Sequence, residues 1–530
     1  MILSDISRKC KMIVTAFEEK TEEADFETAI HFAQYGKFQK LLLAVCGLIY
    51  TACAISTTTL SFVLPSAECD FNLSSSDKGK LSAMPLIGMI FGCCIWGVIA
   101  DSKGRKFAIM SSLLVDFLAG LISTFAQTFS VFLVCRFFNG FGIIGATSII
   151  FPYLGEFLSN KKRDAVLGKL ELFWNLGVIV LPGIAWTLLN RTTFDKFTQL
   201  HLVSPWRIFV FICCLPSLLS LICLYFLPET PKFFISKRRF ENAKMVFQRV
   251  YKINTKLPLA SFPVLSLYGE SNNNEESIDL KNKSSFCDRI VENLNNGWEQ
   301  MKELCSKPYI SYLVITAVSD FGLMASYYTL MMWFPEIFER FNNYEISNKG
   351  RKAGICEVSQ NNQVYNGTYQ YLPKVCEPSI NSRVFAETII IGLSCIPSSI
   401  SLSFFMAKLG KKYVLVTSLL LSGAAALALN WVSSTVETLI ISAVFEALTS
   451  ILETVLFCVV VELFPTNLRA PALTITATSG RLGAIFGNLV FGMLIDIQCN
   501  VPIYLFGFML IGSGVLCFGI PKSEDYFVLH

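Results

Sequence analysis

The chain has 530 residues, enough for roughly three or four soluble domains. Only 16% of it is Asp, Glu, Lys or Arg, where about 25% is usual; 53% is apolar and 45 residues are Phe. No soluble fold hides that much apolar side chain, and a net charge of +4 offers no field for nucleic acid, so lipid is the solvent for much of the chain.

Residues 1–40 carry Arg8, Lys9, Lys11, Glu18, Glu19, Lys20, Glu22, Glu23 and Asp25, with no apolar core for translocation. They read as a cytosolic amino-terminal segment. A crossing helix needs about 20 apolar residues. Twelve runs fit, at 41–64, 81–100, 107–126, 129–155, 164–189, 206–227, 308–334, 384–406, 413–431, 437–461, 470–495 and 501–520. The expectation is an all-α membrane protein of twelve helices. It has a six-helix half over 41–227, a cytosolic linker with short helices over 228–307, a second half over 308–520 and a cytosolic tail over 521–530. Isolated spanning strands are excluded, because their backbone groups would be unpaired in lipid. Lys and Arg gather on the side of the amino terminus even when the linker is set aside, so both termini are expected in the cytosol.

Three glycosylation sequons, at Asn72, Asn190 and Asn366, then fall outside, and one at Asn282 falls inside and should be unused. The 18 cysteines show no metal pattern, and most lie in spans as small apolar residues. Cys356 and Cys376 share the exofacial loop at 335–383 and are the expected disulfide pair. Cys69 and Cys499 are also exofacial and form an alternative pair.

The two halves repeat at an offset of 306 residues. Glu156 and Arg163 follow the fourth span, as Glu462 and Arg469 follow the tenth. Gly104-Arg105-Lys106 matches Gly410-Lys411-Lys412, and Gly177 matches Gly483. Parallel six-span repeats fit a secondary transporter with its site between the halves near midplane.

Between the second and third spans, Gly97, Asp101, Gly104, Arg105 and Lys106 form G-x-x-x-D-x-x-G-R-K. Gly97 would let a neighbouring helix approach closely. Asp101 can accept from a helix amino terminus and pair with a cation. Arg105 and Lys106 can pair with carboxylates at helix ends or with anionic lipid. Such a cluster can lock one face and must break when that face opens. In this context the motif resembles the major facilitator superfamily signature. The second copy has Ala407 at the place of Asp101, which implies an asymmetric lock.

More of the chain is similar to the synaptic vesicle glycoprotein 2 family and its organic ion transporter relatives. The matching stretches include Gly36-Lys37-Phe38-Gln39, Phe62 to Glu68, Pro205-Trp206-Arg207, Pro228 to Phe234, Trp333-Phe334-Pro335 and Glu462 to Pro465. They occur in both halves and in the family's order. The chain departs from that family in lacking room for a large insert between spans seven and eight. It also lacks acidic residues within span one, which reads Ala52 to Thr59 without charge.

Ionisable residues within spans are costly and therefore default functional candidates. At 1.5 Å per residue, Arg481 lies roughly 16 Å into span eleven and Asp320 roughly 18 Å into span seven. Arg481 suits a carboxylate, sulfate or phosphate by its planar fork of donors; otherwise it is a partner for Glu446 or Glu453. Those two acids are seven apart on one expected face of span ten, and a buried one is a candidate proton carrier. Asp116 and Arg136 read as scaffold and packing. Trp174, Asn175, Tyr327 and Tyr328 are candidate cavity walls.

No catalytic set, metal site or phosphate loop appears, so neither an enzyme nor an ATP-driven pump is expected, and no cofactor beyond coupling to protons or another ion gradient. The expected function is secondary transport of a small organic ion, slightly favouring an anion because of Arg481, by alternating access. The expected partners are the bilayer and that ion, without nucleic acid and with a monomeric transport unit. The expected location is the plasma membrane or an intracellular vesicle membrane. The alternative is a transporter-shaped glycoprotein that does not transport and serves a vesicle or partner-binding role. A pore is third, since nothing resembles a carbonyl filter or charge ring.

Overall fold

The computed structural model describes residues 21–190, 204–267, 299–347, 354–358, 380–465 and 467–521. Eleven helices among them are long and apolar enough to cross a membrane. In chain order they are Lys37–Ser66, Ser75–Lys103, Arg105–Thr124, Phe129–Gly155, Asn160–Leu189, Pro205–Tyr225, Tyr309–Ile346, Ser382–Leu402, Lys411–Trp431, Thr435–Leu463 and Asn500–Cys517. A further long helix, Arg469–Leu494, precedes the last of these. It is less apolar because Arg481, Asn488 and a Thr-rich first half interrupt it. Counted in chain order these are spans one to twelve, in two halves of six helices each. The turns after even-numbered spans share a face with the amino-terminal helix and the linker, here the linker face; the opposite side is the far face.

Local chemistry sets the ends. Ser74 accepts from the Asp77 backbone N–H to start span two, and Gly104, at φ +110°, ends it. Gly410, at φ +85°, does the same after span eight. Large apolar side chains such as Phe91, Phe404 and Phe508 remain exposed on the outside, where lipid is their solvent. Small residues set the interior distances. Gly140 of span four lies against the Pro85 carbonyl of span two; a Cβ there would sit 1.9 Å from that oxygen.

Spans two and seven extend beyond the apolar runs, from Ser75 and to Ile346. Apolar counting stops at the first charges, whereas the helices continue because those charges are paired. Span ten, expected as one helix, is two: Thr435–Thr449 and Leu452–Leu463. Span five is interrupted likewise at 168–170, whereas span one keeps a helical backbone through Thr59. Broken spans are where transporters expose backbone and side chains to a cavity.

The chain is not wholly helical. Thr21–Ala24 pairs in parallel with Val264–Leu267, a pair of strands too short to show a period in sequence. The amino-terminal helix Phe26–Ala33 thereby docks on the linker helix Phe240–Thr255. Asn254 seals this joint: it accepts from the Phe38 N–H at 2.9 Å and donates to the Gln34 carbonyl at 2.7 Å.

The expected Cys356–Cys376 bridge is corrected. Cys356 is bonded to Cys499, 143 residues away at the start of span twelve. Nearness along the chain misdirected the expectation; the fold brings the far-face loop to the end of span eleven. Cys69 is disulfide-bonded as well, and Cys376 lies outside the described residues.

Candidate functional site

Five spans bring ionisable and aromatic side chains together near midplane. Span one carries Tyr50, whose ring centroid is 5.1 Å from that of Trp174 on span five. Thr51 ties the two helices by donating to the Phe173 carbonyl at 2.8 Å. Gly177 lets span five approach, since a Cβ there would sit 2.8 Å from the Thr51 carbonyl. Glu171 opens the second helix of span five and lies within electrostatic reach of Tyr50 and Glu453.

The second half repeats the approach. A Cβ on Gly483 of span eleven would sit 2.1 Å from the Phe321 carbonyl of span seven. Asp320, fully buried, lies against Gly480 on the same seam, with Oδ1 lacking a hydrogen-bond partner among the described residues. Arg481 and Glu453 are both within electrostatic reach of Asp320 and of Tyr328. Arg481 closes to no ion pair within 4 Å among the described residues. Tyr50, Glu171, Trp174, Tyr328, Glu453 and Arg481 are all partly exposed despite their depth, as walls of a space between the halves are.

Other candidates sit apart from this group. The break in span ten separates Glu446 from Glu453. Glu446 is buried toward Cys395 and Tyr327, with Oε2 unpartnered among the described residues. Asn175 donates to Ser399 Oγ of span eight at 2.9 Å, across the seam between halves. Asp116 is a scaffold knot, accepting from Ser56, Asn139 and Ser217, and so joins spans one, three, four and six.

The far face is closed by charges that apolar counting passed over. Lys78 Nζ of span two lies 3.0 Å from Glu68 and 2.8 Å from Glu336 of span seven. Arg340 holds Glu336 at 3.0 Å and Asp496 at 2.8 Å, and donates to Ser75 Oγ at 3.1 Å. Lys78 is only 2% exposed; it is shared by Glu68 and Glu336, and Glu336 in turn by Lys78 and Arg340, so the buried charges compensate one another as a network. Beneath it, a Cβ on Gly79 would sit 2.7 Å from the Asn488 carbonyl of span eleven. Phe385 of span eight stacks on Phe62 at 5.7 Å and on Trp186 at 6.3 Å. Asn190 accepts from Ser382 at 3.1 Å, which leaves that sequon residue half-buried in the seam, whereas Asn72 is exposed. Asn366 lies outside the described residues.

The linker face differs. Among the described residues no hydrogen bond or ion pair joins the halves on the linker side of Asn175–Ser399. Each half instead binds itself. Arg105 reaches Glu156 at 3.3 Å and Asp101 at 3.6 Å. At an offset of 306, Lys411 pairs with Glu462. Lys106 donates to the Tyr225 carbonyl, as Lys412 does to those of Phe518 and Ile520. Arg163 donates to the Gly155 carbonyl at 3.3 Å, and Arg469 to that of Phe464 at 3.0 Å.

Two gating expectations change. Asp101 meets no helix amino terminus; its side chain is 79% exposed. Gly97 supports no close approach, because a Cβ there would meet open space. The carboxylate that does meet a helix start is Glu229, which accepts from the Lys106 N–H at 3.0 Å. Burial holds its pKa above the usual glutamate value, against the lowering by those backbone donors.

Sequence reasoning missed Tyr50, Glu171, Glu229 and the Lys78–Glu336–Arg340–Asp496 chain. The signal available was that Lys78, Glu336 and Arg340 lie within a few residues of span ends, two of them four apart on one helix face.

A family model described as sugar (and other) transporter matches residues 42–342, and one described as major facilitator superfamily matches residues 388–528. The chain is 26% identical to synaptic vesicle glycoprotein 2B of Mus musculus, over 97% of this chain and 88% of that protein. It is 24% identical to synaptic vesicle glycoprotein 2C of Mus musculus, over 96% and 82%. The inward-open structure of the xylose transporter XylE from E. coli superposes with a TM-score of 0.65 at 16% identity, covering 92% of this chain and 98% of that one. That likeness shows the fold.

Proposed function

From the premise that this chain belongs to the sugar (and other) transporter family, within the major facilitator superfamily, we propose that it is a secondary active transporter of a small organic ion working by alternating access. Membership in that family supports a membrane transporter rather than an enzyme. One observation carries the finer reading. A charged and aromatic cluster lies between two halves that are bonded to each other on the far face and not, among the described residues, on the linker face. That arrangement supports a site facing the linker side. Rocking the halves would break Lys78–Glu336 and Arg340–Ser75 and bring the linker-face turns together.

The clustering of Lys and Arg supports a cytosolic linker face and cytosolic termini. The vesicle glycoprotein relatives favour a vesicle membrane, and one copy of the twelve-span unit would suffice for transport. Arg481 and Glu453 are the binding or coupling charges, with Glu453 the candidate to carry a proton. Ala407 in place of the acid and the uncharged span one favour a second reading, a glycoprotein of transporter shape that does not transport.

The test is uptake of labelled organic anions and cations into proteoliposomes, with and without an imposed pH gradient. Concentrative uptake that disappears in Arg481→Gln or Glu453→Gln supports transport through this site. Absence of uptake across the panel, from protein with a cooperative unfolding transition, favours the second reading.

A further inference from the structure

We infer that the central site takes an organic cation, held between the Tyr50–Trp174 aromatic wall of the first half and a carboxylate set made of Glu171, Asp320 and Glu453. This rests on the reading of the cluster as a transport site and reverses the leaning toward an anion that Arg481 alone invites.

The argument begins with charge. Three carboxylates and one guanidinium converge there. Arg481 is within reach of both Asp320 and Glu453, so its charge is already answered, whereas Glu171 on the facing half has no cation of its own in the cluster. A cation entering favours the ionised form of these carboxylates and can draw on all three, whereas an anion would find only Arg481, already shared.

The second element is Asp320. It is 1% exposed, its Oδ1 is unpartnered among the described residues, and it lies within electrostatic reach of Glu453 and Arg481. A buried carboxylate oxygen without a donor is costly, and a cationic ligand in front of it offsets that cost.

The third is aromatic. Tyr50 and Trp174 are tilted at 48° to each other, and Tyr50 lies within reach of Glu171, Glu453 and Tyr328, which belong to both halves. Aromatic faces attract ammonium groups through their quadrupole, most strongly where water is excluded. Asn175 and Glu446 stand outside the group, engaged with or buried toward span eight, and are not needed for recognition.

The experiment measures binding to the full-length protein in nanodiscs, with labelled phenethylammonium and tetraethylammonium as cations, benzoate as anion and D-glucose as neutral control. The expected result is saturable binding of phenethylammonium. Glu171→Gln and Glu453→Gln should each weaken it about tenfold, equal to about 1.4 kcal/mol. Tyr50→Leu should weaken it and Tyr50→Phe should not. Glu171 is partly exposed and Gln matches its shape, so Glu171→Gln leaves packing intact, and Glu171→Asp gives an intermediate loss that a folding defect would not reproduce. Benzoate or glucose binding more tightly than either cation, or no cation binding at millimolar concentration, would overturn the inference.

The two readings fail separately. Cation binding without proteoliposome uptake removes transport and leaves the cation site. Uptake of an anion or a sugar removes the cation site and leaves transport.

Discussion

The two halves of the molecule carry the same cage and a different site. On the linker face, Arg105–Glu156 and Lys411–Glu462 occupy equivalent places, as do the carbonyl contacts of Lys106 and Lys412. Gly177 and Gly483 each press span five or eleven onto span one or seven. Near midplane the correspondence ends. The residue 306 before Arg481 is Asn175, bonded to Ser399, and the residue 306 before Glu453 is Thr147, which donates to the Ile143 carbonyl of its own helix. What repeats is what lets each half move as a unit, and what differs is what a single asymmetric ligand must meet. A symmetric site would present the same charges twice; this one presents Tyr50, Trp174 and Glu171 from one half, and Tyr328, Asp320, Glu453 and Arg481 from the other.

The comparison breaks most sharply at the seam, where the halves meet on the far face. Lys78→Ala should destabilise the protein by about 1.5–3 kcal/mol, the loss of a buried charge-assisted hydrogen bond to a carboxylate that Arg340 still holds, visible as a lowered melting temperature in detergent. Glu336→Gln should cost more than Lys78→Ala, because Lys78 and Arg340 both lose their shared carboxylate. A cysteine placed at Ser82, 2% exposed beneath the latch, should become reactive to a membrane-impermeant thiol reagent in Lys78→Ala and stay protected in the parent.

A second test asks how equivalent the repeated glycines are. The added methyl at Gly483 would meet a backbone carbonyl at 2.1 Å, whereas at Gly177 the nearest atoms are the Ala54 methyl at 2.6 Å and a carbonyl at 2.8 Å. Gly483→Ala should therefore cost more than Gly177→Ala, within the roughly 1–3 kcal/mol typical of overpacking. Equal losses in thermal unfolding would mean that the two seams yield alike.

These seams also show what the sequence makes legible. The helices, the halves, the offset of 306 and the charges of spans seven, ten and eleven were readable, because apolar length and spacing encode them directly. The latch was not, because Lys78, Glu336 and Arg340 end an apolar count although their pairing keeps the helix buried. Glu171 stands two residues from Lys169 and reads as a charge at a span entrance; only the break at 168–170 sets it at the cavity. The separation of Glu446 from Glu453 depends on a break that no proline or glycine announces. The Cys356–Cys499 bond joins residues that only the folded far face brings together.

The linker-face cages predict a smaller difference. Arg105 touches Glu156, Asp101 and the Ala100 carbonyl and lies over the Phe233 ring, while Lys411 pairs with Glu462. Both side chains are partly exposed, which limits each ion pair to about 1 kcal/mol or less. Arg105→Ala should lower the melting temperature and the uptake rate more than Lys411→Ala does. Arg105→Lys should recover only part of the loss, because an ammonium cannot span two carboxylates as a fork does.

The smallest expected effect lies in a linker-face carboxylate at the start of span three, Glu229. Burial raises its pKa above the usual glutamate value, with the backbone N–H groups of Thr230 and Lys106 working the other way. A carboxyl whose pKa is raised in the folded state favours folding when protonated. That contribution is fully present below the ordinary glutamate pKa and is lost as pH rises through the raised value. Glu229→Gln cannot titrate, so its melting temperature should gain on that of the parent as pH climbs from below the ordinary glutamate value to above the raised one, and then hold a constant offset. A difference that shrinks over that window would mean that the backbone donors outweigh burial and that the ionised carboxylate is itself the clasp between span three and the linker.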